Sequence, residues 1–212
     1  MKKMLFLFMM MAFSLGFAQT NAFSGSGYDT SYFEISIGFG WPWDIGPSIR
    51  FKGVYGYMID RALSLHGGLD YGYASRQETL SNITSSGVST TVLESDVQAH
   101  LVKALVGLRI TWPWVVWEPV RFFTEFDVGY SLLWNFYTRL ADRNLYFYAG
   151  DFLSFQIVPG AIIPLGEKSQ AIVGLCLDIA SVSRNTPLGE YTVKEKINLS
   201  GVGLLLGVGF RW

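Results

Sequence analysis

The chain has 212 residues, half of them hydrophobic and 16% aromatic, with a formal net charge of −1. This balance, with no basic block, excludes a nucleic-acid surface and a polybasic lipid-binding one, and a lone cysteine, Cys176, excludes an internal disulfide. Beyond the N-terminus no apolar run approaches the roughly 20 residues of a membrane-spanning helix.

The N-terminus reads as a secretory signal peptide. Lys2 and Lys3 form a basic start, Leu5 to Phe17 an apolar stretch, and Gly16-Phe17-Ala18 a small-residue cleavage site. Residues 1–18 are therefore expected to be removed, leaving 19–212 as a single domain.

Period-two alternation then recurs in eight segments of about ten residues or more. In residues 32–41, Phe33, Ile35, Ile37, Phe39 and Trp41 face one way, and Glu34, Ser36, Gly38 and Gly40 the other. Residues 48–59 set Ile49, Phe51, Tyr55 and Tyr57 against Arg50, Lys52 and Gly56. Residues 63–76 set Leu65, Leu69, Tyr71 and Tyr73 against His66, Gly68, Asp70 and Gly72. Residues 97–112 oppose Val102, Val106, Leu108 and Ile110 to Lys103, Gly107 and Arg109. In 121–138, Phe126, Val128, Tyr130 and Trp134 oppose Glu125, Asp127, Gly129, Ser131 and Asn135. Residues 152–165 turn Phe155, Ile157 and Ile163 outward; 171–183 oppose Val173, Leu175 and Leu177 to Gly174, Cys176 and Asp178. In 201–212, Val202, Leu204, Leu206, Val208, Phe210 and Trp212 form the last apolar face.

Residues 60–62 and 166–170 are tight turns, whereas 77–96, 139–151 and 184–200 are expected to be long polar loops. Apolar residues gather on one strand face, and Gly, Ser and charges on the other. A soluble barrel carries the reverse, apolar inside and polar outside. In hydrocarbon every backbone N–H and C=O must be bonded internally, so a sheet crossing a membrane must close. The expected fold is all-β: an eight-stranded antiparallel up-and-down transmembrane barrel.

The pattern resembles the small eight-stranded bacterial outer-membrane proteins of the OmpX, OmpA-barrel and OmpW group. The stretch 61–76, RALSLHGGLDYGYASR, is similar to a third strand of such barrels, and the terminal GVGFRW to the signal read by the barrel-assembly machinery. The resemblance implies residence in the bacterial outer membrane, contact with its lipid and lipopolysaccharide, and recognition by that machinery through Val208, Phe210 and Trp212. The family commonly ends in Phe, so Trp212 is a departure.

Trp41, Tyr73, Trp112, Trp134 and Trp212 sit where the two membrane interfaces would fall. Trp-Pro-Trp occurs at 41–43 and at 112–114, and Tyr146, Phe147 and Tyr148 add aromatics to an expected outer loop. Such loops are where an extracellular ligand would bind. Eight strands leave an interior that side chains can fill. Glu34, Arg50, Lys52, Asp70, Lys103, Arg109, Glu125, Asp127, Asp178 and Arg211 point into it with balanced signs, and are expected to pair as a plug. The alternative is a porin-like conduit for small solutes lined by the same residues.

Glu125 and Asp127 share one face, yet basic neighbours make neither acid–base work nor a cation site the expectation. His66 and His100 fall at opposite ends, neither in a His-x-Ser arrangement, and no zinc-ligand spacing occurs. His66 is expected to be a hydrogen-bonded lumen residue. The expected function is non-enzymatic, without metal or cofactor, structural or interaction-based through the outer loops.

Overall fold

The computed structural model describes residues 31–60, 62–81, 92–113, 119–138, 143–150, 153–188 and 191–212. Eleven strand segments follow in chain order: β1 (Ser31–Pro42), β2 (Ser48–Met58), β3 (Leu63–Ser81), β4 (Val92–Thr111), β5 (Arg121–Thr138), β6 (Arg143–Gly150), β7 (Ser154–Pro164), β8 (Ser169–Ile179), β9 (Ser181–Leu188), β10 (Tyr191–Asn198) and β11 (Gly201–Arg211). Eight of them, β1–β5, β7, β8 and β11, form a closed antiparallel ring. Sequence neighbours pair, β5 reaches past β6 to pair β7, and the first strand meets the last, with Ile37 opposite Leu206. Closure leaves no sheet edge in the wall.

The alternation decides which face turns inward. Phe39 on β1 is 71% exposed and its neighbours Ile35 and Ile37 are each 53% exposed, while Glu34, Ser36, Gly38 and Gly40 are buried. On β8, Leu175 and Leu177 are exposed and Gly174 and Cys176 buried. The same arrangement on every stave builds a continuous apolar belt around the outside. A belt of this extent belongs in hydrocarbon, since soluble monomers rarely expose apolar patches beyond a few hundred Å². Staves of 11 residues such as β2 and β7 match the ~9–11 residues a tilted strand needs to cross.

The two ends differ. One holds the start of β1 and the end of β11, with Ser31 N–H donating to Trp212 O at 3.1 Å, and the tight turns. At the first turn Asp60 Oδ1 accepts from the N–H groups of Ala62 and Leu63, both at 2.7 Å, an Asx-type closure. At the opposite end most staves run on. β3 and β4 stay paired as far as Ser81 and Val92, so much of the stretch expected as the polar loop 77–96 is strand. The core of that loop, 82–91, lies outside the described residues.

The expected loops 139–151 and 184–200 are corrected likewise: they contain β6 and the hairpin β9–β10. These three segments prolong the staves β7, β8 and β11 beyond short breaks, and they pair in the order β5–β6–β9–β10. Thr, Val, Ile and Tyr in these stretches supply the β preference that their polar neighbours mask. The shorter β1–β2 connection turns at Gly46, which adopts φ 86° where only glycine is unstrained.

The interior departs from the expectation of an all-polar face. Two apolar clusters also point inward. Ile45, Ala74, Ala99, Leu101, Leu133 and Tyr148 belong to the one near the long-stave end. Phe123, Val158, Ile162, Ile172, Cys176 and Leu205 form the one nearer the termini. The charged residues share the interior with these clusters: Val158 is the register partner of Glu125, and Arg109 lies over the Phe123 ring.

Candidate functional site

Each inward charge is placed by strand parity and by room made opposite it. Arg50 on β2 lies against Gly40 and Gly203, which are register partners on β1 and β11. A Cβ at Gly40 would sit 2.7 Å from Arg50 Cδ, so the side chain occupies space that only glycine leaves open.

Arg50 makes two N–H bonds to the Asp70 carboxylate and one from Nη1 to Asp178 Oδ2 at 2.6 Å. Lys103 Nζ donates to the other Asp178 oxygen, also at 2.6 Å. Nearer the termini, Lys52 Nζ donates to Glu125 and, at 2.8 Å, to Asp127 Oδ2. Arg109 grips Glu34 with both terminal nitrogens, 2.5 Å each, and Glu125 Oε2 with Nη2 at 2.7 Å and Nε at 3.1 Å. Its guanidinium carbon lies 5.1 Å from the Tyr32 ring centroid and 4.6 Å from that of Phe123.

Nine of the ten residues expected in the lumen are thus brought into two ion-paired groups, and all nine are buried. Arg211 stands at the terminal end, half-buried, its backbone N–H bonded to Lys168 O at 2.9 Å. Three further residues join the cluster. Gln156 links the two halves: its Oε1 accepts from Lys52 at 2.7 Å and its Nε2 donates to Asp178 at 2.9 Å. Gln170 Nε2 donates to Glu34 at 3.0 Å. His66 Nε2 donates to Asp127 Oδ1 at 2.6 Å. Neither glutamine was singled out from the sequence. The available signal was parity: Gln156 alternates with Phe155 and Ile157, and a glutamine in an apolar strand points inward.

His66, Glu125 and Asp127 bring potential ligand atoms within 4.8 Å of one another. The Lys52 ammonium lies on both carboxylates and fills the cation's place, so the set does not fit a metal. Cys176 is a buried thiol that takes a 3.2 Å bond from Arg50 Nη1. No nucleophile is drawn up to His66 in this cluster.

Beside Arg50, Lys103 and Asp178 the lumen leaves a gap of about 10 Å³. It then widens into a cavity of about 270 Å³ at the long-stave end. The wall there is held by Arg184 of β9, which pairs with Glu195 of β10 at 2.7 Å and lies 4.0 Å from the Tyr146 ring centroid. Tyr148 Oη donates to the same Glu195 at 3.2 Å. The aromatics expected as a free loop cluster are therefore divided: Phe147 is exposed, Tyr146 half-buried and Tyr148 buried against the wall.

The interface aromatics occupy both ends of the belt. Tyr73, His100 and Trp134 are register neighbours across β3, β4 and β5 near the long-stave end. His100 stacks on Trp134 with ring centroids 5.8 Å apart, and its Nδ1 lies 2.7 Å from Tyr71 Oη. Trp41 and Trp43 are exposed at that end. At the terminal end Trp112 is exposed with its indole N–H bonded to Thr124 at 3.2 Å, and Trp212 lies 6.0 Å from the Tyr55 ring. Val208 and Phe210 are exposed on β11. Trp114 lies outside the described residues.

No family model matches this sequence, and no curated protein matches it. Solved structures do. A major outer membrane protein from Thermus thermophilus is similar over 86% of this chain and 99% of its own, with 14% identity and a TM-score of 0.55. Neisserial surface protein A matches with 11% identity over 86% and 96% of the two chains, TM-score 0.49. Outer membrane protein W of E. coli matches with 12% identity over 88% and 100%, TM-score 0.42. By fold, this protein is a small closed eight-stranded antiparallel β-barrel, the fold it has in common with the Thermus outer membrane protein.

Proposed function

We propose that this protein is a non-enzymatic barrel of the bacterial outer membrane, with a closed lumen and an interaction or structural role at its long-stave end. Residues 1–18 direct export and are cleaved. The end holding the start of β1, the end of β11 and the tight turns faces the periplasm, as short turns do in such barrels, and the long staves face outward. The two aromatic belts anchor it in lipid and lipopolysaccharide, and the assembly machinery reads Val208, Phe210 and Trp212 on the last strand.

The observation that carries this reading is the ion-paired layer. Four cations and five carboxylates cross-link staves from all around the ring, with Gln156 tying them together. Moving a solute through would require breaking several buried charge-assisted bonds at once, each worth roughly 1.5–3 kcal/mol. The carboxylates and cations of this layer are engaged with one another, which supports a structural role for them.

The test is conductance of the refolded mature protein in a planar bilayer, with folding checked by heat-modifiable gel migration. A folded and electrically silent barrel is expected. Reproducible ion-selective steps that change when Lys103 or Glu125 is neutralised would overturn the closed lumen and establish a small-solute channel.

A further inference from the structure

Within the ring every strand has two neighbours, but above it the wall is incomplete. β1 ends at Pro42 and β2 begins at Ser48, while the strands on either side run on. β3 pairs with β2 only as far as Tyr73 and continues to Ser81 with β4 alone. β10, which prolongs β11, pairs with β9 alone among the described residues. The wall therefore carries a notch above the β1–β2 connection, flanked by two sheet edges. Three strand spacings of about 4.8 Å separate β11 from β3, so the notch is about 14 Å across, room for two strands.

Parity shows which groups of β10 face it. Asn198 turns its backbone to the notch: its C=O accepts from Asp44 N–H at 3.3 Å, and its N–H donates to Asp44 Oδ2 at 2.6 Å. β10 keeps an unbroken register with β9, so Lys196 and Thr192, of the same parity, direct their N–H and C=O the same way. Side chains of that parity stand on the outer face, where Lys194 and Lys196 are exposed. Ile197 and Glu195 turn inward, the first onto the apolar cluster and the second onto Arg184. The cavity of about 270 Å³ lies directly behind the notch, since Asp44 and Ile45 of its floor, Ala74 of β3 and Lys196 of β10 all line it.

An edge of this kind is a template for another strand, and its side chains decide which one. A second copy of β10 would bring lysines together across the new pair, and like charges directly opposite destabilise a sheet. A strand with carboxylates at alternate positions meets the same face with opposite charge, and its intervening residues turn toward the cavity. We propose that β10 is a docking edge for an extended segment of another protein, alternating acidic and apolar residues, which adds as a strand in the notch. The inference rests on the reading of the long-stave end as an interaction surface and adds the partner's form to it.

The experiment uses the full mature barrel in lipid nanodiscs, with folding checked by heat-modifiable migration, and follows backbone amide resonances during titration. The probe is the end-blocked peptide Thr-Val-Glu-Ile-Glu-Val-Thr. One control replaces both glutamates with lysine; the other is N-methylated at both, which keeps the carboxylates and removes the N–H groups that would pair with β10. Saturable binding of the acidic peptide is expected, with slowed exchange of the Lys196 amide and unchanged exchange in β11. The lysine peptide should bind about tenfold more weakly, and Lys196→Glu should reverse that order. Lys196→Pro removes an N–H that faces the notch and spares the bonds to β9, so it should weaken the acidic peptide about tenfold. Where that variant gives no heat-modifiable barrel, the N-methylated peptide asks the same question of the wild-type protein and should not bind. Equal binding of the N-methylated peptide, or unchanged affinity in Lys196→Pro, would reduce the site to a patch for anions and overturn strand addition. Equal binding of the lysine peptide would overturn the acidic partner. Protection confined to the Ser75 and Gln77 amides of β3 would overturn the role of β10. Binding no stronger than to empty nanodiscs would overturn the docking edge alone, because the closed lumen is read separately by conductance.

Discussion

Asp178→Asn is the sharpest perturbation of the charged layer. The carboxylate takes Lys103 on one oxygen and Arg50 on the other, each at 2.6 Å, and Gln156 Nε2 at 2.9 Å. Whichever way the replacing amide is turned, its –NH2 faces a cation. Turned one way, it leaves Lys103, 2% exposed, against a donor; turned the other, it faces Arg50 Nη1, although Arg50 keeps its two bonds to Asp70. Removing one partner of a buried pair costs about 3–5 kcal/mol, because the remaining charge stays desolvated. Replacing the whole pair with apolar side chains, Lys103→Met with Asp178→Leu, removes that charge and should return stability to within about 1 kcal/mol of wild type. Reversible urea unfolding in phosphocholine vesicles, followed by tryptophan fluorescence, measures all three proteins. A loss of under ~0.5 kcal/mol for Asp178→Asn would mean a water-filled lumen with pairs worth no more than surface ones. A double variant less stable than Asp178→Asn would refute the desolvation argument itself.

Three further outcomes follow from other contacts. Gly203→Val places a Cβ 2.8 Å from Phe39 O and 3.2 Å from Arg50 Nη1, so backbone must shift; the same unfolding assay should show a loss of about 1–3 kcal/mol. Arg184→Ala removes a half-exposed ion pair and the packing on Tyr146, and should cost about 1 kcal/mol or less. Its signature is local, with faster amide exchange in β9 and β10 and unchanged exchange in β1 and β11. Trp212→Ala strips an exposed terminal ring; the purified chain should refold with near-normal heat modifiability, while folded barrel in cells falls, read by fractionating outer membranes.

Much of the barrel was legible because parity is a strong signal wherever one face meets lipid. A one-residue slip in β1 would turn Glu34 to hydrocarbon and Ile35 inward, so the alternation alone sets the faces. Glu34, Arg50, Asp70, Lys103 and Asp178 were placed inside by the same rule. Parity says nothing about partners, because these depend on stagger between staves that lie far apart in the chain. Lys52 meets Glu125 and Asp127 across the lumen, and Arg109 meets Glu34, although neither pair is adjacent in the sheet. Strand ends were the other loss. In β9, Ser-Val-Ser-Arg-Asn-Thr-Pro-Leu has the composition of a loop, yet it is held by pairing with β10 and by Arg184 against Tyr146 and Glu195. That support comes from β6 and β10, which no window along β9 contains.

The inner apolar residues bear on the proposal that the interaction role lies at one end. Leu101 and Leu133 are buried between the ion pairs and the cavity, and Leu101 with Arg50, Lys103 and Asp178 leaves a gap of only about 10 Å³. Phe123, Val158 and Ile172 fill the side nearer the termini in the same way. A conduit needs a continuous polar or wettable path, and the proposed closed lumen follows from each of these charged residues being used to bind another. The space that remains open lies above Leu101 and Leu133, where the long staves raise the wall and Asn135 faces inward. Ala99 and Asn135, each two residues nearer the long-stave end than Leu101 and Leu133, line that space.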